Sequence, residues 1–349
     1  MEDQARIQKL PGALLPWYAA HARVLPWRLD REPYHVWLSE IMLQQTRVEA
    51  VKGYYARFLE ALPDIPALAA APEEQLLKLW EGLGYYSRVK NLQKAARQIV
   101  AEYGGVFPRE VEQVRALAGI GDYTAGAICS ICYGEPTPAV DGNVLRVVAR
   151  LTAWDKPADA PTYKKYVSAA LGEVYPAGHC GDFTQALMEL GAIVCIPNGA
   201  PRCEDCPCAA FCAAREQGKE LTLPIRTPKR PRRKETLMVF LLEHQGRFAL
   251  EKRPAGGLLA GLWQLPNVPD LTGDAAGLAW CREQGLQPTE IVSSRERKHV
   301  FTHVEWDMTC LHIRCGRPIS RFTWDDPREY PLPTAFRKLL LPPTEGPEA

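Results

Sequence analysis

Five cysteines, Cys195, Cys203, Cys206, Cys208 and Cys212, fall within 18 consecutive residues of a 349-residue chain. In a small secreted protein such a density would mean a disulfide scaffold. Here the N-terminal stretch MEDQARIQKL has no apolar signal core, and no run of 18 apolar residues offers a membrane span. A reducing, cytoplasmic setting is expected (nucleoid-associated if the source is bacterial), with no membrane partner, and the thiols then read as ligands. Cys195, Cys203, Cys206 and Cys212 follow C-x7-C-x2-C-x5-C. Soft thiolates select iron–sulfur or zinc. Zinc usually takes its cysteines from two C-x2-C knuckles, and only one such pair is present. The pattern therefore favours a [4Fe–4S] cluster, with zinc and unliganded thiols as the alternatives. Cys208 is left over. Such a cluster would shape the loop that precedes Arg202.

Two textures divide the chain. Residues 1–222 are nearly all helical in pattern, with apolar periodicity through Pro33–Leu62, Glu73–Tyr103, Val111–Tyr133, Val144–Trp154 and Tyr163–Tyr175. Residues 223–236 are a basic, proline-containing linker. Six of the nine residues from Arg226 to Lys234 are Lys or Arg, in a chain whose net charge is only +1. Such a segment is extended and solvated, and contact with phosphates is its alternative role. From 237 to 342 the apolar run Leu237–Leu242 and the alternations at Arg247–Lys252 and Val300–Ile313 are strand signals, so this part is a smaller α+β domain. Residues 343–349 are a tail.

Leu117-Ala118-Gly119-Ile120-Gly121 separates two helical segments. Two glycines around one aliphatic residue permit φ > 0 and a tight helix–hairpin–helix turn. The next helix would then offer its N–H groups to a DNA phosphate. A bare turn is the alternative, and Asp122 would repel a phosphate unless it is engaged elsewhere.

Two carboxylates stand in contrasting contexts. Glu40 lies among Trp37, Leu38, Ile41 and Leu43. Burial there would raise its pKa and suit it to donate a proton, whereas an exposed helix face is the plain alternative. Asp141 opens Asp141-Gly142-Asn143 before the apolar pattern Val144, Val147, Val148 and Leu151. At a helix N-terminus it is expected to stay ionised, either as a simple N-cap or as the anionic half of a pair that cleaves glycosidic bonds.

Taken with Leu25–Arg28, Ser39–Thr46, Trp80–Arg88, Gly119–Ala127 and Val140–Val144, these features resemble the MutY-type adenine DNA glycosylases of the helix–hairpin–helix superfamily. The resemblance covers most of the chain. It implies a multidomain protein: a mostly α glycosylase domain with an iron–sulfur cluster, then an α+β Nudix-like domain. It implies a monomer that removes adenine from duplex DNA where the adenine lies opposite 8-oxoguanine or guanine. Glu40 would protonate the base, and Asp141 would stabilise the sugar cation. Tyr123 and Asn143 would position that aspartate or the attacking water, and Arg28 and Gln185 would meet the adenine edge. Gln45, Thr46, Leu83, Tyr85, Gly119 and Gly121 would contact DNA, and Phe301, Thr302 and His303 would recognise 8-oxoguanine. The chain departs from the family pattern in its seven-residue first cysteine gap and in Thr302, which stands in place of serine. Only Glu283 remains where a catalytic Nudix helix needs several glutamates, so nucleotide hydrolysis is not expected.

Two other functions fit parts of the pattern. An endonuclease III-like pyrimidine glycosylase and lyase shares the fold, but needs an amine nucleophile. Tyr123 occupies the matching place, and Gly119–Tyr133 contains no lysine. A non-catalytic DNA-binding iron–sulfur protein would leave Glu40 and Asp141 with structural roles only.

Overall fold

The computed structural model describes residues 2–228 and 230–340; the expected tail, 343–349, lies outside them. The helices of the first part are α1 (Glu2–Gln8), α2 (Leu10–His21), α3 (Pro33–Leu43), α4 (Val48–Ala61), α5 (Ile65–Ala70), α6 (Glu73–Leu79), α7 (Ser87–Tyr103), α8 (Val111–Ala116), α9 (Asp122–Tyr133), α10 (Gly142–Leu151), α11 (Pro161–Gly172), α12 (Cys180–Ile193) and α13 (Ala213–Glu216). There follow β1 (Arg233–His244), β2 (Arg247–Lys252), β3 (Trp263–Gln264), β4 (Asn267–Pro269), α14 (Asp274–Glu283), β5 (Pro288–Val300), β6 (Val304–Cys315), β7 (Thr323–Asp325) and α15 (Thr334–Arg337). The described chain forms two compact units. One holds residues up to 71 and 87–228; the other holds 72–86 and the described residues from 230 onward.

Three periodic stretches turn out to be broken, and each break carries side chains of interest. Pro33–Leu62 is interrupted at Gln44–Arg47, where Gln45 adopts φ +60°. Glu73–Tyr103 is interrupted at 80–86, where Tyr85 adopts φ +48°. Gln45 follows the end of α3 and Tyr85 precedes the start of α7, and in both places the apolar pattern continues, so periodicity alone does not reveal them. The third break is the hairpin between α8 and α9. Gly119 has φ +77°, and a Cβ there would lie 2.7 Å from the Asn91 Cβ. Gly121 is extended instead (φ −102°, ψ −178°) and is the N-cap of α9, so only one of the two glycines supplies a left-handed conformation.

In the first unit, α10 shows how the helices lock together. Its apolar side (Val144, Val147, Val148, Leu151) enters a core with Leu10, Leu14, Tyr163, Val167, Phe183 and Leu190. Close backbone approaches need glycine. A Cβ on Gly126 of α9 would lie 2.3 Å from the Pro138 carbonyl oxygen, and one on Gly191 of α12 would lie 2.6 Å from the Asn143 Cβ.

The second unit is built on a seven-stranded mixed sheet with β3-β2-β1-β6-β5 along its main path. β1 runs parallel to β6, and β4 and β7 are added to β1 and β2. Both faces of β1 are buried. Leu237, Val239 and Leu241 pack with Phe336 of α15 on one side, and Met238, Phe240 and Leu242 pack with Cys281 of α14 on the other. That explains the unbroken apolar run, since a strand covered on both faces has no polar alternation. β1 begins at Arg233, so its first residues are strand where the sequence suggested linker; 226–234 is nonetheless exposed wherever it is described.

Gly126→Ala should destabilise the protein by about 1–3 kcal/mol, because backbone faces backbone and neither can yield. Gly12→Ala in α2, with nothing within 4 Å of a new Cβ, should stabilise it by up to about 1 kcal/mol. Urea unfolding midpoints of the two variants check both signs.

Candidate active site

The helix that carries Glu40 is buried nearly all round. Tyr34, Val36, Trp37, Leu38, Ser39, Ile41 and Met42 are buried with it, so no face of α3 could present Glu40 to bulk water. Glu40 is 6% exposed. Its Oε2 accepts a 2.5 Å hydrogen bond from the Tyr123 hydroxyl on α9. Desolvation raises its pKa to about 7. The nearby Asp141 adds to the rise, while the Tyr123 hydrogen bond and Arg28 oppose it. The same burial, together with Glu40 and Asp141, holds the Tyr123 hydroxyl well above its ordinary value, so it remains a donor.

Asp141 is the N-cap of α10. Its Oδ1 accepts the Val144 N–H at 2.7 Å, and its Oδ2 accepts Asn143 Nδ2 at 2.8 Å. Asn143 Oδ1 in turn accepts Arg146 Nη2 at 2.8 Å. Sequence reasoning expected the cap to keep Asp141 ionised. Burial instead pushes its pKa up against the cap, Asn143 and Arg146, with a net upward shift. Tyr123 donates to the Glu40 carboxyl rather than to the aspartate, which Asn143 and the Val144 N–H brace.

Glu40, Tyr123, Asp141, Asn143, Arg28, Gln185, Gln45 and Thr46 all line one pocket of about 540 Å³, within the size range of small-molecule sites. Three further lining residues carried no sequence signal. Glu189 of α12, fully buried, accepts Arg23 Nε at 2.6 Å and Arg28 Nη2 at 2.8 Å. Burial alone would raise its pKa, but the two guanidinium groups outweigh that and hold it at about 2. Only the spacing of Gln185 and Glu189, one turn apart, hints that they share a face. Lys164 of α11 also lines the pocket; the lysine-free stretch after the hairpin did not reveal it.

Gly119 lines a separate, smaller cavity and Gly121 lines neither. Asp122, the awkward neighbour of the hairpin, pairs with Arg115 at 2.7 Å. In the second unit, Phe301, Thr302 and His303 form the tip of the β5–β6 hairpin. The Phe301 N–H donates to the Val304 carbonyl at 2.8 Å, and Arg232 Nε holds the Phe301 carbonyl at 3.1 Å. Phe301 packs edge-on against His299 and Trp306, leaving Thr302 and His303 exposed. The Thr302 and Tyr85 hydroxyls are 2.8 Å apart. Tyr85 is half-exposed, but Leu83 is 6% exposed. Leu83 is thus packed away in the fold while Tyr85 reaches the surface.

Cys195, Cys203, Cys206 and Cys212 line one small cavity with Val147, Leu151, Leu190 and Val194, and the leftover Cys208 lines it too. Arg150 Nη1 approaches Cys195 Sγ at 3.3 Å, and Arg146 Nε holds the Cys195 carbonyl at 2.7 Å. Among the described residues, no three His, Cys, Asp or Glu converge as they would around a single metal ion. Four soft thiols around one cavity, with Arg146 and Arg150 beside Cys195, are a donor set that fits a thiolate-ligated iron–sulfur group.

Residues 38–173 match the family model for the HhH-GPD superfamily base excision DNA repair protein, and residues 238–341 match that for the NUDIX domain. The chain is 34% identical to the adenine DNA glycosylase of Rattus norvegicus, over 97% of this chain and 78% of that one. It is 32% identical to the adenine DNA glycosylase of Buchnera aphidicola subsp. Baizongia pistaciae, over 94% of each. The chain belongs to the adenine DNA glycosylase family. Among solved structures, a thermostable thymine-DNA glycosylase superposes with a TM-score of 0.56 at 27% identity, covering 61% of this chain and 98% of that one. Endonuclease III in a non-covalent DNA complex gives 0.51 at 23% identity over 61% and 97%, a likeness of fold. No described helix is long and apolar enough to cross a membrane.

The pKa of Glu40 has a consequence for stability whatever the substrate. A carboxyl whose folded pKa lies near 7, above its ordinary 4.5, opposes folding once it is charged. That penalty is absent below about pH 4.5, grows between there and about pH 7, and is constant above. Glu40→Gln should therefore melt higher than wild type at pH 8, with the gap closing at pH 5. A gap that does not change with pH would mean that Glu40 is not desolvated.

Proposed function

We propose that this chain hydrolyses the N-glycosidic bond of an adenine turned out of duplex DNA, where the adenine lies opposite 8-oxoguanine or guanine. One observation carries the reading: two carboxyl groups line the same pocket, Glu40 bonded to the Tyr123 hydroxyl and Asp141 capped by the Val144 N–H and Asn143. Glu40, hydrogen-bonded to Tyr123, gives its proton to N7 of adenine. The C1′–N9 bond then breaks, and its electron pair leaves with the base. Asp141, braced by Asn143, stabilises the cationic sugar until water adds to C1′ and gives up a proton to the Glu40 carboxylate, leaving free adenine and an abasic site. Arg28 and Gln185 meet the edge of the base.

DNA is held by recurring means. Gln45 and Tyr85 fill the space left by the extruded nucleotide. The Gly119–Gly121 hairpin and the first turn of α9 take a backbone phosphate, with Thr46 contributing from the pocket rim. Thr302, at an exposed hairpin tip, offers a hydroxyl to N7–H or O8 of 8-oxoguanine, flanked by Phe301 and His303. Cys195, Cys203, Cys206 and Cys212 would hold a [4Fe–4S] cluster, which when bound fixes the 195–212 loop. The protein works as a monomer, in the cytoplasm at the nucleoid if the source is bacterial. Residues 1–222 would serve as the catalytic part, 223–236 as the linker and 237–342 as the recognition domain.

A glycosylase–lyase is the second reading, and Lys164 is what favours it, because it brings an amine into the pocket from another helix. A single-turnover assay on an 8-oxoguanine:adenine duplex separates the two. Free adenine with an intact strand until base is added supports hydrolysis alone. Spontaneous scission with borohydride trapping at Lys164 supports the lyase. Binding without either product removes catalysis from the account.

Base release should fall as pH rises through about 7, as Glu40 loses the proton it must donate. Glu40→Gln should bind the duplex normally yet release adenine at least about a hundredfold more slowly; an unchanged rate would take Glu40 out of the mechanism. Thr302→Ala should narrow the preference for 8-oxoguanine over guanine by about tenfold, since one hydrogen bond to a buried base edge carries roughly 1 kcal/mol or more. The ratio of single-turnover rates on the two duplexes measures this.

A further inference from the structure

The helix α3 ends without the usual device. Its C-cap is Gln44, and the left-handed position after it, commonly glycine, is Gln45 at φ +60°. A glutamine does not hold that conformation by preference. A cavity of about 220 Å³ lies beside the turn, lined by Trp37, Gln44, Arg88, Asn91 and Gly119 among others. What meets the end of the helix is Arg88, the second residue of α7 and only 9% exposed. Its Nη1 lies 2.7 Å from the Ile41 carbonyl oxygen, 3.1 Å from that of Met42 and 2.6 Å from that of Gln44, and Nη2 is 3.5 Å from Thr46 Oγ1. One buried cation thus gathers the carbonyls at the negative end of the helix dipole.

From this geometry we infer that Arg88 is a positioning residue for Gln45: its guanidinium clasps the end of α3 and sets the 44–46 turn in the form that inserts into DNA. The inference deepens the glycosylase reading and rests on it for the meaning of insertion. Arg88 touches no reacting atom. Glu40 lies in the same final stretch of helix but has its own anchor in Tyr123, so loss of the clasp affects the turn and leaves the proton donor in place. Lysine keeps the charge but lacks the planar fork that spans several carbonyls.

The test compares Arg88→Lys and Arg88→Met with wild type, and R88K, the milder change, carries it if R88M does not fold. In the free protein, amide hydrogen exchange over residues 43–47 should accelerate about tenfold or more, with the α9 and α10 amides unchanged. On the 8-oxoguanine:adenine duplex, base release per titrated active site should fall roughly ten- to a hundredfold, while the midpoint of its pH profile stays near that of wild type. Exchange at 43–47 indistinguishable from wild type in R88K overturns the inference. So does a loss confined to the fraction of active molecules, with a normal rate per site, because that marks a merely structural arginine. If wild type releases no adenine at all, the proposed function fails, whereas the exchange measurement still decides whether Arg88 sets the turn.

Discussion

A carboxyl group kept out of water at the heart of a helical unit sets the terms for everything around it. Glu40 sits on a helix buried on nearly every face, and burying a charge without full compensation is costly, so the group keeps its proton up to about pH 7. The Tyr123 hydroxyl narrows that cost without removing it. A stronger partner, such as an arginine, would have fixed the charge and ended any use as an acid. A phenol, itself pushed to a high pKa, orients the carboxyl and leaves the proton available. The burial that opposes folding is thus what makes the group chemically useful.

The companion carboxylate follows a different logic. Asp141 is also buried, yet it receives a backbone N–H and the Asn143 amide, with Arg146 behind. These donors favour the charged form, and burial works against them. The net effect is an upward shift, in a carboxyl group that its donors hold firmly in place. Gly191 belongs to this arrangement, because α12 must come close enough to touch Asn143, and any side chain at that position would push the brace away from Asp141.

Much of this was legible from residue order and much was not, for reasons of distance. Glu40 and Asp141 announced themselves through local context: apolar neighbours for one, a helix start for the other. The boundary of two textures near 230 was visible because β1 is covered on both faces and so carries no polar residue from Leu237 to Leu242. Tyr123 was noticed for what it is not, a lysine; its bond to Glu40 spans 83 positions and only the packing of α3 on α9 brings them together. Glu189 and Lys164 come from α12 and α11, helices whose patterns are ordinary, and nothing local distinguishes a pocket-facing charge from a solvated one. The turns at Gln45 and Tyr85 were hidden for a related reason, since an apolar pattern continues across a break that a left-handed residue makes.

The Arg23–Glu189–Arg28 group bears on how a cationic transition state can form in so enclosed a pocket. Two guanidinium groups near the base would by themselves oppose a nearby positive charge. Glu189, held at about 2 by those same groups, stays ionised at any working pH and cancels one of them. The triad leaves a single net positive charge. In the proposed reaction, when Glu40 passes its proton to the base, the carboxylate left behind adds a negative charge as the sugar becomes positive. Charge therefore appears in opposite pairs at short range, where a low dielectric makes their attraction strong. Replacing Glu189 by a neutral residue would upset that balance even though it touches neither the proton in flight nor the bond being broken.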